Sequence, residues 1–566
     1  MTVNGLKAPL ELDVVTPNSS KTQNVDLEGT KDNVLAEEPV QEQQSQPRSK
    51  FRKAMILTAL YLSLFVAALD ATIVATAVPI ITADLKSAGG YIWIGGAYLI
   101  ANAAAAPIWV KLSDIWGRKP IFLAGIAVFF ASSVICAAAV DMRMLIVGRA
   151  IQGAAGGGLI CMVSVAISDL FSVRERSLWL GFCEGVWALS GAVGPLLGGA
   201  FAEKVSWRWC FYCNLPIAGT AFILIFFFLN VHNPRTPVLE GVKAIDWFGC
   251  ISIVGVVVML LLGLDLGGAV YPWGSAKVVC LLVFGALMIL IFIYSERKLA
   301  KYPVIPLALF GARNGATLIV TFFHGLVFIA AEYYLPLYFQ SVKEASPLRS
   351  GVLLVPLIVA TAVTGVLNGV FIHRTGQYRP PMWLGTILLT IGNGLYIMFN
   401  PDTSIGAIVA FEVIEGIGSG LLFEPPLLAI QQGVAQDDVG TATSTQSFVR
   451  SMALSFGVII GGIVFQQSMD LRQPVLRDAG LSESVLEHLS GKNAGANVMI
   501  GHTLPPAQEL AVKQAFSWSI RNMFIMFTAF SALGVVASLF IKTHKLSKTH
   551  IETVTGLKRD IANSDA

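Results

Sequence analysis

The sequence predicts an all-α membrane protein: fourteen transmembrane helices, arranged as two six-helix pseudo-repeat halves plus two inserted helices. Three observations predict it. Fourteen long apolar segments alternate with short charged loops, and a helix needs roughly 20 apolar residues to cross a bilayer. The 566 residues are 55% hydrophobic and only 13% charged, with mean hydropathy +0.68, which is a membrane composition. A loop pattern also recurs at corresponding places in the two parts of the chain. A spanning chain must satisfy its backbone internally, so helices are the expected solution. So many spans with so little extramembrane mass point to a transporter.

Residues 1–50 are polar, rich in Glu, Gln, Ser and Asn, and read as a disordered cytoplasmic tail. No cleavable signal peptide is expected. Arg48, Lys50, Arg52 and Lys53 precede the first span, which then serves as the insertion signal with the N-terminus inside. The spans are expected near 54–79, 93–111, 120–140, 143–168, 178–201, 209–230, 246–264, 277–295, 314–340, 349–372, 382–399, 404–430, 441–466 and 520–541. The first six form an N-terminal half over 51–231. A linker over 232–300 carries two extra helices. The C-terminal half covers 301–545 with an extracytoplasmic loop at 467–519, and 546–566 is a cytoplasmic tail. Inner loops carry Lys111, Arg118, Lys119, Arg174, Arg176, Arg235, Arg313 and Arg374 among others, more bases than the short outer loops, which supports this orientation. The sequon Asn18-Ser19-Ser20 would lie inside and go unused. Lys545 fits a C-terminus that returns to the cytoplasm.

The repeat shows in two loops. After span two the chain reads Asp114-Ile115-Trp116-Gly117-Arg118-Lys119-Pro120; after span ten it reads His373-Arg374-Thr375-Gly376-Gln377-Tyr378-Arg379-Pro380. Each gives a polar residue, Gly three later, then a base and Pro. Spans one to six then match spans nine to fourteen, and spans seven and eight are the insertion. Parallel halves with a site at their interface are a transporter architecture.

These residues resemble the major facilitator superfamily, specifically its fourteen-span drug:proton antiporter branch as found in fungi, over about residues 50–545. The run Val110–Lys119 looks like the family's loop between spans two and three, and Leu69–Val74 with Ala77–Pro79 looks like its first-helix motif. Arg149-Ala150-Ile151-Gln152-Gly153 resembles its fourth-helix motif. Gly191 to Gly199 resembles the antiporter motif of the fifth, with Gly191, Gly194, Pro195, Gly198 and Gly199 as its members. Trp207 to Pro216 is similar to the fungal form of the sixth-helix motif. One departure is Val110, where the family has glycine; packing of span two against span thirteen is expected to differ there.

Intramembrane charges are costly and face the bundle interior or a cavity. Asp70 and Arg149 lie at similar depths, roughly 9–14 Å from the outer face at 1.5 Å per residue. The family packs their helices around the central cavity, so the pair is expected either to switch a proton or to brace helix register. The resemblance implies that Asp114, Gly117, Arg118 and Asp169 gate the cytoplasmic side with the start of span thirteen near Thr441. Gln152, Trp187, Glu332, Glu412 and Glu415 are expected at the substrate cavity; the glutamates could bind substrate, carry a second proton or bond within the bundle. Glu424 and Arg450 are expected to form a structural ion pair, and Glu184 could meet substrate entering from the cytoplasm.

Several functions are excluded. A formal charge of +3 without a basic run does not suit nucleic acid. The absence of a phosphate-loop motif argues against ATP hydrolysis. Cys210-x-x-Cys213 is a lone pair, and no metal, cofactor or enzymatic activity is expected. The resemblance implies proton-coupled efflux of small hydrophobic compounds such as secondary metabolites, toxins or drugs, by a lipid-embedded monomer in the plasma membrane. The alternatives are a vacuolar or plasma-membrane carrier of basic amino acids, polyamines or siderophores, and a non-transporting nutrient sensor. Short tails argue against the sensor.

Overall fold

The structure, a computed structural model, describes residues 49–542 apart from 88–89, 232–233, 235, 269–270, 312–313 and 496, together with 546–548, 553, 555 and 556. Most of the expected N-terminal tail, the sequon at Asn18, Arg48, Arg235, Arg313, Lys545 and most of 546–566 lie outside the described residues.

Every expected span is present as helix. Spans one to six run Lys50–Ile73, Gly90–Trp116, Arg118–Ala137, Met142–Leu170, Val173–Lys204 and, after a one-turn helix at Trp209–Tyr212, Asn214–Phe228. The inserted spans seven and eight are Trp247–Leu266 and Ala276–Tyr294. Spans nine to fourteen are Gly315–Ser341, Pro347–Thr375, Arg379–Tyr396, Ile405–Gly420, Val439–Asp478 and Pro506–Leu539. Thirteen helices among the described residues are long and apolar enough to cross a membrane. Span eleven is the shorter fourteenth, its Arg379-Pro380-Pro381 start diluting its apolar content. Side-chain caps set the starts: Asp141 accepts from Met144 N at 2.7 Å and Asp246 from Gly249 N at 2.8 Å, filling donors that a helix end leaves orphaned.

Three boundaries differ from expectation. Span one stops at Ile73 and a separate helix, Val78–Asp84, follows. Pro79 cannot supply a backbone donor to continue the ladder of span one. Span twelve breaks after Gly420 and resumes as Glu424–Gln432, ahead of Pro425 and Pro426. The expected loop 467–519 is largely helical. Span thirteen continues to Asp478, short helices cover Glu483–His488 and Gly491–Ala494, and span fourteen already begins at Pro506. Hydropathy reads where a helix leaves the apolar layer, not where the helix ends.

The two halves repeat the same packing. Span two lies on four, three on four, one on five, one on six and three on six; ten lies on twelve, eleven on twelve, nine on thirteen, nine on fourteen and eleven on fourteen. Each pair in the second half is a first-half pair moved eight spans along. The matched loops agree in backbone too: Gly117 and Gly376 both take positive φ, +96° and +73°, a region that disfavours side chains with a Cβ. The halves meet where span five crosses ten and where span thirteen crosses two and four, and span seven packs beside the second seam against two and thirteen. Val110 is fully buried, and spans two and thirteen pack without the family's glycine.

Candidate functional site

Span four is a continuous 29-residue helix with functional side chains at both ends. Its glycines let it lie against span two: a Cβ at Gly153 or Gly157 would strike the backbone of Tyr98 or Asn102. That close approach drives Arg149 and Gln152, on the same turn, into the first half's interior. Arg149 Nη1 lies 2.5 Å from Asp70 Oδ2 and 2.8 Å from Gln152 Oε1. Asp70 Oδ1 accepts from Gln152 Nε2 at 2.9 Å and Asn214 Nδ2 at 2.8 Å. Ser133 Oγ accepts from Gln152 Nε2 at 2.9 Å. Arg149 also donates to the Ile94 carbonyl at 3.1 Å, and its guanidinium lies 4.3 Å over the Tyr98 ring. Asp70, Gln152 and Asn214 have no exposed surface. Gln152, expected at the substrate cavity, is thus part of this buried network.

At its other end span four supplies Asp169. Arg118 Nε donates to Asp169 Oδ2 at 2.8 Å and Arg118 Nη1 to Ser113 Oγ at 2.6 Å, and Arg118 is ion-paired with Asp114. Thr441 Oγ1, at the start of span thirteen, donates to Asp114 Oδ2 at 3.4 Å. Gly117 makes the turn that carries Arg118 into the cluster. The bonds across the halves gather on this face, where span one begins and span fourteen ends. Arg176 donates to Gln431 at 3.3 Å and Gln436 at 3.0 Å, Gln431 to Ser168 at 2.9 Å, and Ser177 to the Gly369 carbonyl at 3.2 Å. Arg174 bonds the His373 and Arg374 carbonyls. A C-terminal segment joins them: Thr553 donates to Asp169 Oδ1 and Gly556 N to the Asp114 carbonyl, both at 2.8 Å. Nearer the opposite face, a Cβ built at Gly191 or Gly199 of span five, or at Gly351 of span ten, meets nothing within 4 Å. The halves are thus sealed at the face bearing the chain ends.

The fifth-helix motif divides in two. Gly194 and Gly198 press on Thr72 and Ile73 of span one, while Gly191 and Gly199 face open space. Pro195 stays within the helix, and Thr76 donates to its carbonyl at 3.4 Å. The crossing of spans five and ten instead rests on Gly181, Gly365 and Gly369. Gly365 and Gly369 were not singled out from the sequence, although their spacing is the small-x-x-x-small signal.

Between the halves, half-buried Arg450 lies 3.9 Å over the Phe423 ring. Its charge is felt by Glu184 of span five and Glu332 of span nine. The expected Glu424–Arg450 ion pair is not formed. Glu424 starts the second segment of span twelve, accepts from Asn368 Nδ2 at 3.4 Å and lies against Gly181. The break in span twelve is what turns it away. Trp187 is half-buried and packs against the main hydrophobic core, to which both halves contribute. Glu412 and Glu415, also expected at the cavity, have no exposed surface, and Glu415 packs against Gly392 of span eleven.

No group of three or more His, Cys, Asp or Glu among the described residues could hold a metal ion. Asn214, Ser133, Arg176, Gln431 and Thr553 were not picked out from the sequence. Asn214 stood inside the quoted sixth-helix run, and Arg176 was read only as a loop charge.

A family profile described as Major Facilitator Superfamily matches residues 60–458. The chain is 45% identical over 506 residues to the efflux pump dotC of Dothistroma septosporum, covering 89% of this chain and 87% of that one. It is 35% identical over 525 residues to the efflux pump FUS6 of Gibberella moniliformis, covering 92% and 93%. Among solved structures, the human organic anion transporter MFSD10 aligns with TM-score 0.57 at 15% identity, over 87% of this chain and 100% of that one.

Proposed function

Because the chain belongs to the major facilitator superfamily, we propose that it exports small, largely hydrophobic organic compounds, secondary metabolites or toxins or drugs, in exchange for protons. It is a membrane transporter and not an enzyme. In this reading it works by alternating access as a monomer in the plasma membrane, with both termini cytoplasmic. The sealed face is then the cytoplasmic one, and the structure represents the outward-facing state. Efflux is the activity named for the relatives.

The observation that carries proton coupling is the fully buried Asp70–Arg149 pair. Breaking such a pair from one side costs about 3–5 kcal/mol because the other charge is left uncompensated. A proton arriving on Asp70 frees Arg149 and Gln152, which share one turn of span four. About 20 residues along that helix, or roughly 30 Å, Asp169 holds Arg118. One rigid rod thus joins the proton site to the cytoplasmic latch, and protonation can bias the two-state equilibrium between facings. Glu184, Glu332, Arg450 and Phe423 stand between the halves, where a substrate would pass.

The test uses purified protein in sealed vesicles with an imposed pH gradient. Asp70→Asn should fold and reach the membrane yet lose gradient-driven transport at least tenfold. Full gradient-driven transport by that variant would sink the assignment. The substrate is found by metabolite profiling of cells and medium with the gene deleted and overexpressed. Accumulation inside deleted cells supports export; a compound left in the medium supports the carrier reading.

A further inference from the structure

The matched packing of the two halves can be followed down to single side chains. Gly153 and Gly157 seat span four on span two; Gly416 and Gly420 seat span twelve on the Leu357 and Thr361 carbonyls of span ten. With these glycines superposed, Arg149-x-x-Gln152-Gly153 falls on Glu412-x-x-Glu415-Gly416. Span three supplies Ser133 and Cys136 beside Gln152. Span eleven supplies Asn393 and Tyr396, three residues apart in the same way, and Tyr396 lies within electrostatic reach of Glu412 and Glu415. Span one supplies Asp70; span nine supplies Glu332, which Glu415 feels.

The second half therefore contains a copy of the Asp70 network with its cation replaced by a carboxylate. The contents differ as the charges require. In the first half each Asp70 oxygen has a donor. In the second, Glu412 Oε1 and Oε2, Glu415 Oε2, Tyr396 Oη and Asn393 Oδ1 all lack a hydrogen-bond partner. All four residues have no exposed surface. Among the described residues Ser419 alone donates to these carboxyl groups, to Glu415 Oε1 at 3.0 Å. Buried carboxylates without a partner are costly. Among the described residues the groups around them supply no cation: span ten presents Leu357, Ala360 and Thr361, span fourteen presents Phe524 against Tyr396, and span nine presents the acid Glu332. The charge of Arg450 acts on Glu332 without an ion pair between them.

We propose that Glu412 and Glu415, with Tyr396 and Asn393, form a second ion site, which takes a small monovalent cation, a proton or sodium, where the first half has the guanidinium of Arg149. Oxygen donors of this kind suit hard cations, and no group of three or more His, Cys, Asp or Glu among the described residues is placed to hold a metal ion. The site stands whatever the direction or cargo of transport.

The experiment uses the purified full-length protein. Melting temperature is followed against sodium chloride at fixed pH, with choline chloride as the ionic-strength control. Proton release after a pH jump is counted with an indicator dye in sodium-free buffer. Sodium-specific stabilisation that Glu412→Gln/Glu415→Gln lacks identifies sodium. Release of at least one proton fewer by that variant, without a sodium effect, identifies the proton. Glu412→Arg/Glu415→Gln, which installs the first half's own residues, should fold and lose either response. Asp70→Asn should keep it, which separates this site from the coupling reading above. A double variant that releases as many protons as the native protein, with no sodium effect in either, overturns the proposal, as does a response unchanged in both double variants.

Discussion

Asn214 illustrates how one neutral side chain sustains a buried charge. It donates at 2.8 Å to the Asp70 oxygen that Arg149 does not hold. Asn214→Ala leaves that oxygen with Gln152 as its remaining donor and should lower stability by about 1.5–3 kcal/mol, the net worth of one hydrogen bond to a charged group. Thermal melting of the purified protein checks this, and an unchanged melting temperature would show that the carboxylate finds another donor. Asp70 and Arg149 were legible in the sequence because charge inside an apolar run is conspicuous. Asn214, Ser133 and Gln431 were not, because neutral polar residues are common in spans and only the packing reveals which ones converge. The charge of Glu412 and Glu415 is visible in the sequence, but which face of span twelve they occupy is fixed by Gly416 and Gly420 against span ten.

A helix in this protein is placed by its small residues, and span five shows it within one motif. Gly194 and Gly198 touch span one, whereas Gly191 and Gly199 touch nothing. Gly194→Leu and Gly198→Leu should abolish transport and reduce the yield of monodisperse protein. Gly191→Ala and Gly199→Ala should stay within twofold of the native rate, and a large loss there would assign those positions a role in substrate passage or motion. At the crossing of spans five and ten, a Cβ on Gly369 would lie 2.5 Å from the Ser177 carbonyl. Gly369→Leu should therefore hold the two helices apart, and raised reagent access to this face in Ser177→Cys/Gly369→Leu would report it. The spans were legible from hydropathy and the repeat from two loops. The helical extension of span thirteen to Asp478 was not, because a polar helix beyond the apolar layer looks like a loop to hydropathy.

Over the whole molecule, twelve of the fourteen spans behave as two copies of one packing scheme joined at two seams. Alternating access requires the sealed face to part. Ser168 Oγ and Gln431 Nε2 touch across that face at 2.9 Å, so Ser168→Cys/Gln431→Cys should be bridged by a short thiol crosslinker. Bridging should stop transport, and reductant should restore it; transport that continues in the bridged protein would refute the rocking of halves. The seal also includes the chain's own end. Leu546 N bonds the Gly376 carbonyl, Arg174 N the Ser547 carbonyl, Gln436 donates to Thr553, and Gly556 N reaches the Asp114 carbonyl. A fluorescent reporter fused after Ala566 would hang its drag a few residues from this weave. Transport by the tagged protein should therefore fall below the untagged rate, and removal of the reporter by a site-specific protease should restore it.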